Sequence, residues 1–201
     1  MLDHAFNGPS FTVGIEEELM ILEPETFALA QAIERVLEAT PAEIAEQVHP
    51  EFLQCVLEIA TKPHPNVGSA IAELRELRRS VTEVAERCGL LIAAAGTHPF
   101  ARWEDQLVVE RERYTELAEE LGFILRQFVI FGTHIHVGIE GADRAIYVAD
   151  GIRRHLPLLL ALSVNSPFHR GYPTGMQSSR VPIFRSLPRS GIPPHFGDWA
   201  H

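Results

Sequence analysis

Residues 11–22 constrain this chain more than any other stretch. They set three consecutive glutamates, Glu16, Glu17 and Glu18, inside an otherwise apolar and β-branched run. Such a run reads as a strand, in which side chains alternate between faces with period two. Phe11, Val13, Ile15, Leu19 and Ile21 then share one face, with Glu17 among them. Glu17 is expected to be structural, held by an arginine or a backbone donor. Glu16 and Glu18 share the other face, about 7 Å apart at the rise of a strand. Two adjacent carboxylates on a core strand repel and resist burial unless positive charge lies between them. A hard divalent cation such as Mg²⁺, which takes oxygen ligands, resolves that conflict. A simply hydrated face is the alternative.

The 201 residues suit one domain spanning 1–201, and 46% hydrophobic residues suffice for a core. A formal charge of −10 argues against a nucleic-acid groove or an anionic membrane as the main partner. Cys55 and Cys88 sit in apolar patterns and read as buried thiols, which fits a reducing compartment. Residues 1–10 lack a signal-peptide pattern, and the longest apolar run, Leu156 to Val164, is too short to cross a bilayer. A cytoplasmic protein is the resulting expectation.

Along the chain, residues 26–47 look helical but weakly patterned, with Pro24 ahead and Pro41 interrupting. Residues 52–60 read as a second strand. The clearest helix carries Ile71, Leu74, Leu77, Val81, Val84 and Cys88 at spacings of three and four, with Gly89 as its stop. Residues 90–96 read as a third strand. A helix with Tyr114, Leu117, Leu121 and Leu125 on one face follows, then a fourth strand over 130–139. Residues 143–164 form a helix that Pro157 kinks or restarts. From Ser166 onward the chain reads as a long loop. Strands joined by helices predict an α+β or α/β sheet domain.

Glu58 lies in the apolar context of strand two, sharing a face with Phe52, Gln54 and Val56, while Glu51 points the other way. If strands one and two are neighbours, Glu58 joins Glu16 and Glu18; a single buried glutamate held by an arginine is the plainer reading. His134 and His136 share one face of strand four, flanked by Gly132 and Gly138, and the opposite face holds Thr133, Ile135, Val137 and Ile139. Imidazoles bracketed by glycines suggest a ligand close to the backbone; satisfied core histidines are the alternative. This donor set could hold Zn²⁺ in a metal-dependent hydrolase. Carboxylates outnumber imidazoles, however, which favours Mg²⁺ or Mn²⁺. The last loop offers hydroxyls, including Ser179, and Arg180, a residue suited to bidentate capture of carboxylate or phosphate. A solvated loop is the alternative there. Gly-rich phosphate loops of the Walker type and Gly-x-Ser-x-Gly do not occur.

Taken in order, several segments resemble the bacterial carboxylate–amine ligases of the glutamate–cysteine ligase type 2 family. They are 14–19 (GIEEEL), 57–61 (LEIAT), 96–100 (GTHPF), Arg113 with Tyr114, 132–138 (GTHIHVG), 160–168 (LALSVNSPF), Thr174 and Gly175 with Ser178, Ser179 and Arg180, and 188–194 (PRSGIPP). The resemblance implies a glutamine-synthetase-like catalytic fold: an antiparallel sheet, helices packed on one face, and a concave face holding ATP, metal ions and an amino-acid carboxylate. It implies that Glu16, Glu18 and Glu58 bind Mg²⁺ or Mn²⁺. His134 would contact metal or phosphate, His136 and Ser179 the nucleotide, and Arg180 the substrate carboxylate or a phosphate. The implied reaction activates a carboxylate as an acyl phosphate at the expense of ATP, and an amine then displaces phosphate to give an amide. Its substrates would be an amino acid and an amine. Gln54 stands where some relatives carry a second acid. Family members are much longer, so a missing C-terminal half or self-association is expected to complete an apparently truncated sheet. A nucleotide- or metal-binding paralogue without turnover is the non-enzymatic alternative.

Overall fold

The computed structural model describes residues 6, 8–112, 114, 116, 122, 125, 127–188 and 190–199. Its centre is β1 (Val13–Leu22). β3 (Val56–Ala60) lies along one edge of β1, with β2 (Val48–Pro50) outside it. The other edge of β1 is shared. β4 (Leu91–Ala93) pairs with residues 20–22 and β5 (Thr133–Val137) pairs with residues 13–17. Every pairing is antiparallel.

One face of this sheet packs on α2 (Val67–Arg87). Asn66 caps the helix by accepting the Ser69 N–H at 3.0 Å, and Gly89 ends it at φ +69°. Ala70, Leu74, Leu77, Val81, Val84 and Ala85 form its buried stripe. That stripe meets Val13, Ile15, Leu19 and Ile21 of β1 in one core, with Leu57, Ile59 and, from α1 (Ile33–Ala39), Ile33 and Val36. Each of these larger side chains contributes about 1.5–3 kcal/mol by leaving water. Met20 and Leu22 are also buried, so β1 is covered on both faces at its C-terminal end.

Several elements differ from the sequence reading. Phe11 has φ +66° and is 70% exposed, so it precedes the strand rather than joining its core face. Residues 26–47 hold only α1 and a 3-10 turn, because Phe27 takes φ +56° and Leu29 bridges to Leu22. The second strand begins at Val56, not 52: the Val56 N–H closes a turn on the Leu53 carbonyl at 3.0 Å. The proline does restart the helix, giving α3 (Ala142–Ile152) and α4 (Leu156–Leu162) around a 3-10 turn. The final loop contains a small hairpin, β6 (Phe168–His169) with β7 (Tyr172–Pro173), and a short α5 (Arg180–Phe184). Of the expected helix around residue 120, Tyr114 and Leu125 are buried, while Leu117 and Leu121 lie outside the described residues, as do Arg113 and Arg189.

His98 staples two loops. Its Nε2 donates to the Phe27 carbonyl at 2.8 Å and its Nδ1 accepts the Ala101 N–H at 3.0 Å, an arrangement for the neutral ring. Burial accordingly lowers its pKa. Cys55 is a buried free thiol, raised to about 12 by burial. Among the described residues no helix is long and apolar enough to cross a membrane.

Candidate metal and phosphate site

The register of the sheet assembles the acidic residues. Glu18 pairs with Glu58 across β1 and β3, and Glu16 pairs with His134 across β1 and β5. Directly opposed residues project to one face, so all four side chains leave the sheet opposite α2. One ligand atom each from Glu16, Glu58 and His134 lies within 4.8 Å of the others. Glu18 stands beside this trio without joining it: its Oε2 accepts the Gly132 N–H at 2.6 Å. The Glu16 Oε2 is bracketed by His134 Nδ1 at 3.2 Å and His136 Nε2 at 3.0 Å.

The charges in this cluster are strained in the absence of a cation. Burial pushes Glu58 up to about 7, reinforced by the charges of Glu51, Glu16 and Glu18 and opposed by His134. Glu18 is also raised, again chiefly by burial, against the Gly132 hydrogen bond. Glu16 moves the other way: burial opposes ionisation, but His136 and then His134 outweigh it and lower the pKa. A buried carboxylate whose pKa is raised by burial and by neighbouring acids, as at Glu58, is the electrostatic setting that a divalent ion relieves.

Glu51 is a residue the sequence reading placed on the wrong side. Its charge acts on both Glu18 and Glu58. Counting alternate residues back from Glu58 fails because the turn at residues 53–55 resets the parity. The same turn removes Gln54 from the site. Its side-chain amide donates to the Val108 carbonyl at 3.3 Å, and its backbone carbonyl accepts the Ala32 and Ile33 N–H groups.

Arg180 enters from the final loop. A Cβ built on Gly132 would lie 3.1 Å from Arg180 Nη2, 3.4 Å from His134 Nε2 and 3.5 Å from Glu18 Oε2. A glycine there keeps open the space on which these three groups converge. Gly96 does the same for the loop itself, since a Cβ would meet Asn165 Oδ1 at 2.6 Å and Ser166 Oγ at 3.2 Å. Ser179, expected at the nucleotide, is buried, and its hydroxyl donates to the Ser166 carbonyl at 2.7 Å, which ties the loop together. The histidines also differ from the core reading. β5 is an edge strand, and all its residues, Ile135 and Val137 included, are exposed. A cleft of about 350 Å³ lined by Gly14, Glu16, Thr61 and His136 opens on the side of the cluster away from Arg180's neighbours Gly132 and Glu18.

Glu17 takes the opposite route. It is 5% exposed on the α2 face, where Arg78 of α2 grips both its oxygens through Nε and Nη2.

Comparison with known proteins places this geometry in a family. Residues 12–201 match the model of glutamate–cysteine ligase family 2. A relative from Rubrobacter xylanophilus named for glutamate–cysteine ligase 2 is 46% identical over 94% of this chain and 50% of its own length. One from Herpetosiphon aurantiacus is 42% identical over 94% of this chain and 49% of its own. The chain thus spans about half the length of the curated relatives it matches. Among solved structures, glutamate–cysteine ligase from Francisella tularensis in complex with AMP superposes with a TM-score of 0.57 at 18% identity, over 79% of this chain and 35% of that one. A bifunctional glutathione synthetase from Pasteurella multocida gives 0.58 at 16% identity, over 79% and 24%. At these identities the structures speak for the fold: a glutamine-synthetase-like antiparallel sheet with helices on one face.

Proposed function

The chain belongs to glutamate–cysteine ligase family 2, and from that premise we propose that it carries the carboxylate-activating site of an ATP-dependent carboxylate–amine ligase. The observation that carries the reading is the convergence of Glu16, Glu58 and His134, with Arg180 facing the same space across Gly132. The donor set fits Mg²⁺ or Mn²⁺, being mostly carboxylate and short of its full charge until a cation arrives. Glu16, Glu58 and His134 would hold the ion, with Glu18 and Glu51 adjoining. When bound, the ion would screen the negative charge of the phosphates and of the incoming carboxylate.

The chain's own residues supply the rest. In the first half-reaction, a carboxylate oxygen of the acid forms a bond to the γ-phosphorus as the bond to the β,γ-bridging oxygen breaks, and ADP leaves with that electron pair. Arg180 donates N–H groups to the oxygens that gain charge, a role suited to a planar guanidinium. In the second half-reaction, the amine attacks the acyl carbon, the carbon–oxygen bond to phosphate breaks, inorganic phosphate leaves and the nitrogen gives up a proton. His136 lines the cleft beside Glu16 and would be the group to meet the nucleotide.

Titration of the intact chain with Mn²⁺, read by electron paramagnetic resonance, tests the site. Glu58→Gln and Glu16→Gln should each weaken binding at least about tenfold, the loss usual for perturbed metal ligation. Because a ligating carboxylate must be ionised, Mn²⁺ affinity should fall as pH drops from 8 to 6 through the Glu58 value of about 7. Affinity that is flat across that range and equal in the variants would refute the site. Phosphate release that requires both an acid and an amine would identify a ligase; release from ATP alone would identify a hydrolase.

A second reading is favoured by the half-length match and by the exposed apolar residues Ile135, Tyr147, Leu158 and Leu162. In it the chain binds metal and nucleotide but turns over only with a further polypeptide or a second copy against these surfaces. Sedimentation velocity combined with the phosphate assay separates the two: turnover by a monomer excludes this second reading.

A further inference from the structure

Arg180 reaches the acidic cluster from the final loop, and it has another place to go. Together with Arg153, Phe184 and Arg185 it lines a cavity of about 470 Å³. A long side chain bordering such a space is not aimed by close packing alone, because it is free to swing into the space. Its posture has to come from particular contacts.

Four contacts supply it. Ser166 Oγ accepts the Arg180 N–H at 3.2 Å and fixes the backbone. A Cβ built on Gly96 would lie 3.2 Å from Arg180 Cδ, and one built on Gly132 would lie 3.1 Å from its Nη2. The two glycines are neighbours, since the Phe131 N–H donates to the Gly96 carbonyl at 3.1 Å and Thr97 bridges to Ile130. The arginine therefore runs along a track of two glycines, its stem against the first and its head against the second, and a side chain at either would press on it. The fourth contact is Phe184, one turn further along α5. The guanidinium carbon stands over its ring, 5.9 Å from the centroid, within cation–π range. Phe128, which is buried, backs that ring edge-on with centroids 6.1 Å apart. None of the four contacts is a carboxylate, so the charge of the head is left for an incoming oxyanion.

We propose that Phe184 is a positioning residue: together with Gly96 and Gly132 it holds Arg180 in the posture that meets an oxyanion at the Glu16–Glu58–His134 cluster, before metal or substrate binds. A guanidinium ordered in advance does not have to be ordered during binding or as charge develops on the ligand. The inference rests on the ligase reading for what Arg180 does with that posture. The posture itself is a property of the free chain.

The test reads posture and binding separately. In the intact chain without metal or nucleotide, nitrogen NMR of the Arg180 guanidinium, assigned by its loss in Arg180→Lys, should resolve two Nη resonances, the mark of a restrained group. Phe184→Leu should merge them, whereas Phe184→Tyr, which keeps the ring, should not. Phe184 is 43% exposed, so neither variant removes a core side chain, and circular dichroism checks the fold. ATP with Mg²⁺ is then titrated calorimetrically into the same chains. Phe184→Leu should bind it about three- to tenfold more weakly than the parent, the scale of one cation–π contact, and Phe184→Tyr within about twofold of the parent. Mn²⁺ affinity without nucleotide should be equal in all three. A parent guanidinium that already rotates freely, equal losses in Phe184→Leu and Phe184→Tyr, or ATP affinity indifferent to Phe184→Leu would each overturn the inference. A parent that binds Mn²⁺ but no ATP would sink the ligase reading and this inference with it, whereas ATP binding that ignores the ring sinks this inference alone.

Discussion

Glu17 and its neighbours Glu16 and Glu18 occupy consecutive positions on one strand and meet opposite physical conditions. Glu17 points into the face that α2 covers, where Arg78 supplies a fork of two N–H donors to its two oxygens. Its charge is compensated inside the fold, so its side chain contributes to holding α2 on the sheet. Glu16 and Glu18 point to the open face, where the sheet register brings a third carboxylate, Glu58, alongside them. There the charges accumulate, and Glu58 holds a proton up to about pH 7. One face of β1 is therefore built for stability. The other carries an electrostatic penalty at Glu58 and Glu18, the kind of cost found at ligand sites.

Substitutions on the two faces should change stability with opposite signs. The largest effect is expected at Glu17→Ala. It leaves the Arg78 guanidinium without its carboxylate and opens space beneath α2, which should lower unfolding free energy by about 2–3 kcal/mol. Arg78 is half-exposed and can be rehydrated, which holds the loss to that range. Urea denaturation measures it, and Mn²⁺ affinity should be unchanged. A loss of metal binding without a loss of stability would reverse the roles assigned to the two faces.

Glu58→Gln should do the reverse. The folded-state pKa of Glu58 lies above its ordinary value. The folded state therefore gives up its proton at higher pH than the unfolded state, so stability falls as pH rises from the ordinary carboxyl range to about 7 and the full penalty is present above that. After allowance for partial solvent screening, the variant should be more stable than the parent by about 1 kcal/mol at pH 8. The difference should vanish below the ordinary carboxyl range. Denaturation at pH 8 and pH 4 gives both values. A variant less stable at pH 8 would mean that Glu58 is compensated by a partner in the fold, as Glu17 is.

The smallest effect is expected at His136→Gln. Its contact to Glu16 at 3.0 Å joins two well-exposed side chains, and such pairs contribute under about 1 kcal/mol. Stability should hardly move, while any ATP dependence of the phosphate assay should weaken. A large destabilisation would place His136 in the fold rather than in the site.

The contrast between the two faces could be read from residues 13–22, because the direction of a side chain along a strand follows from local backbone geometry alone. The same parity set Glu58, His134 and His136 on the correct face within their own strands, and the three-and-four spacing from Ile71 to Cys88 located α2. Glu51 could not be read in this way. Its side depends on the turn at residues 53–55, and no alternation runs through a turn. The exposure of Ile135 and Val137 was equally hidden, since β-branched residues look alike in central and edge strands.

The sequence by itself determined where β1 and α2 run, which glutamates oppose Glu17, and that Pro157 interrupts the apolar helix, because each of these rests on interactions among residues close in the chain. Only the tertiary structure decided the rest. It chose β3 and β5 as the neighbours of β1, which places Glu58 opposite Glu18 and His134 opposite Glu16. It turned the Ser179 hydroxyl onto the Ser166 carbonyl and carried Arg180 back across Gly132. It also brought Arg153, Arg180 and Arg185 to one cavity. These outcomes depend on long-range pairing and loop closure, in which the partner of a residue is settled by the packing of the whole sheet rather than by its neighbours in sequence.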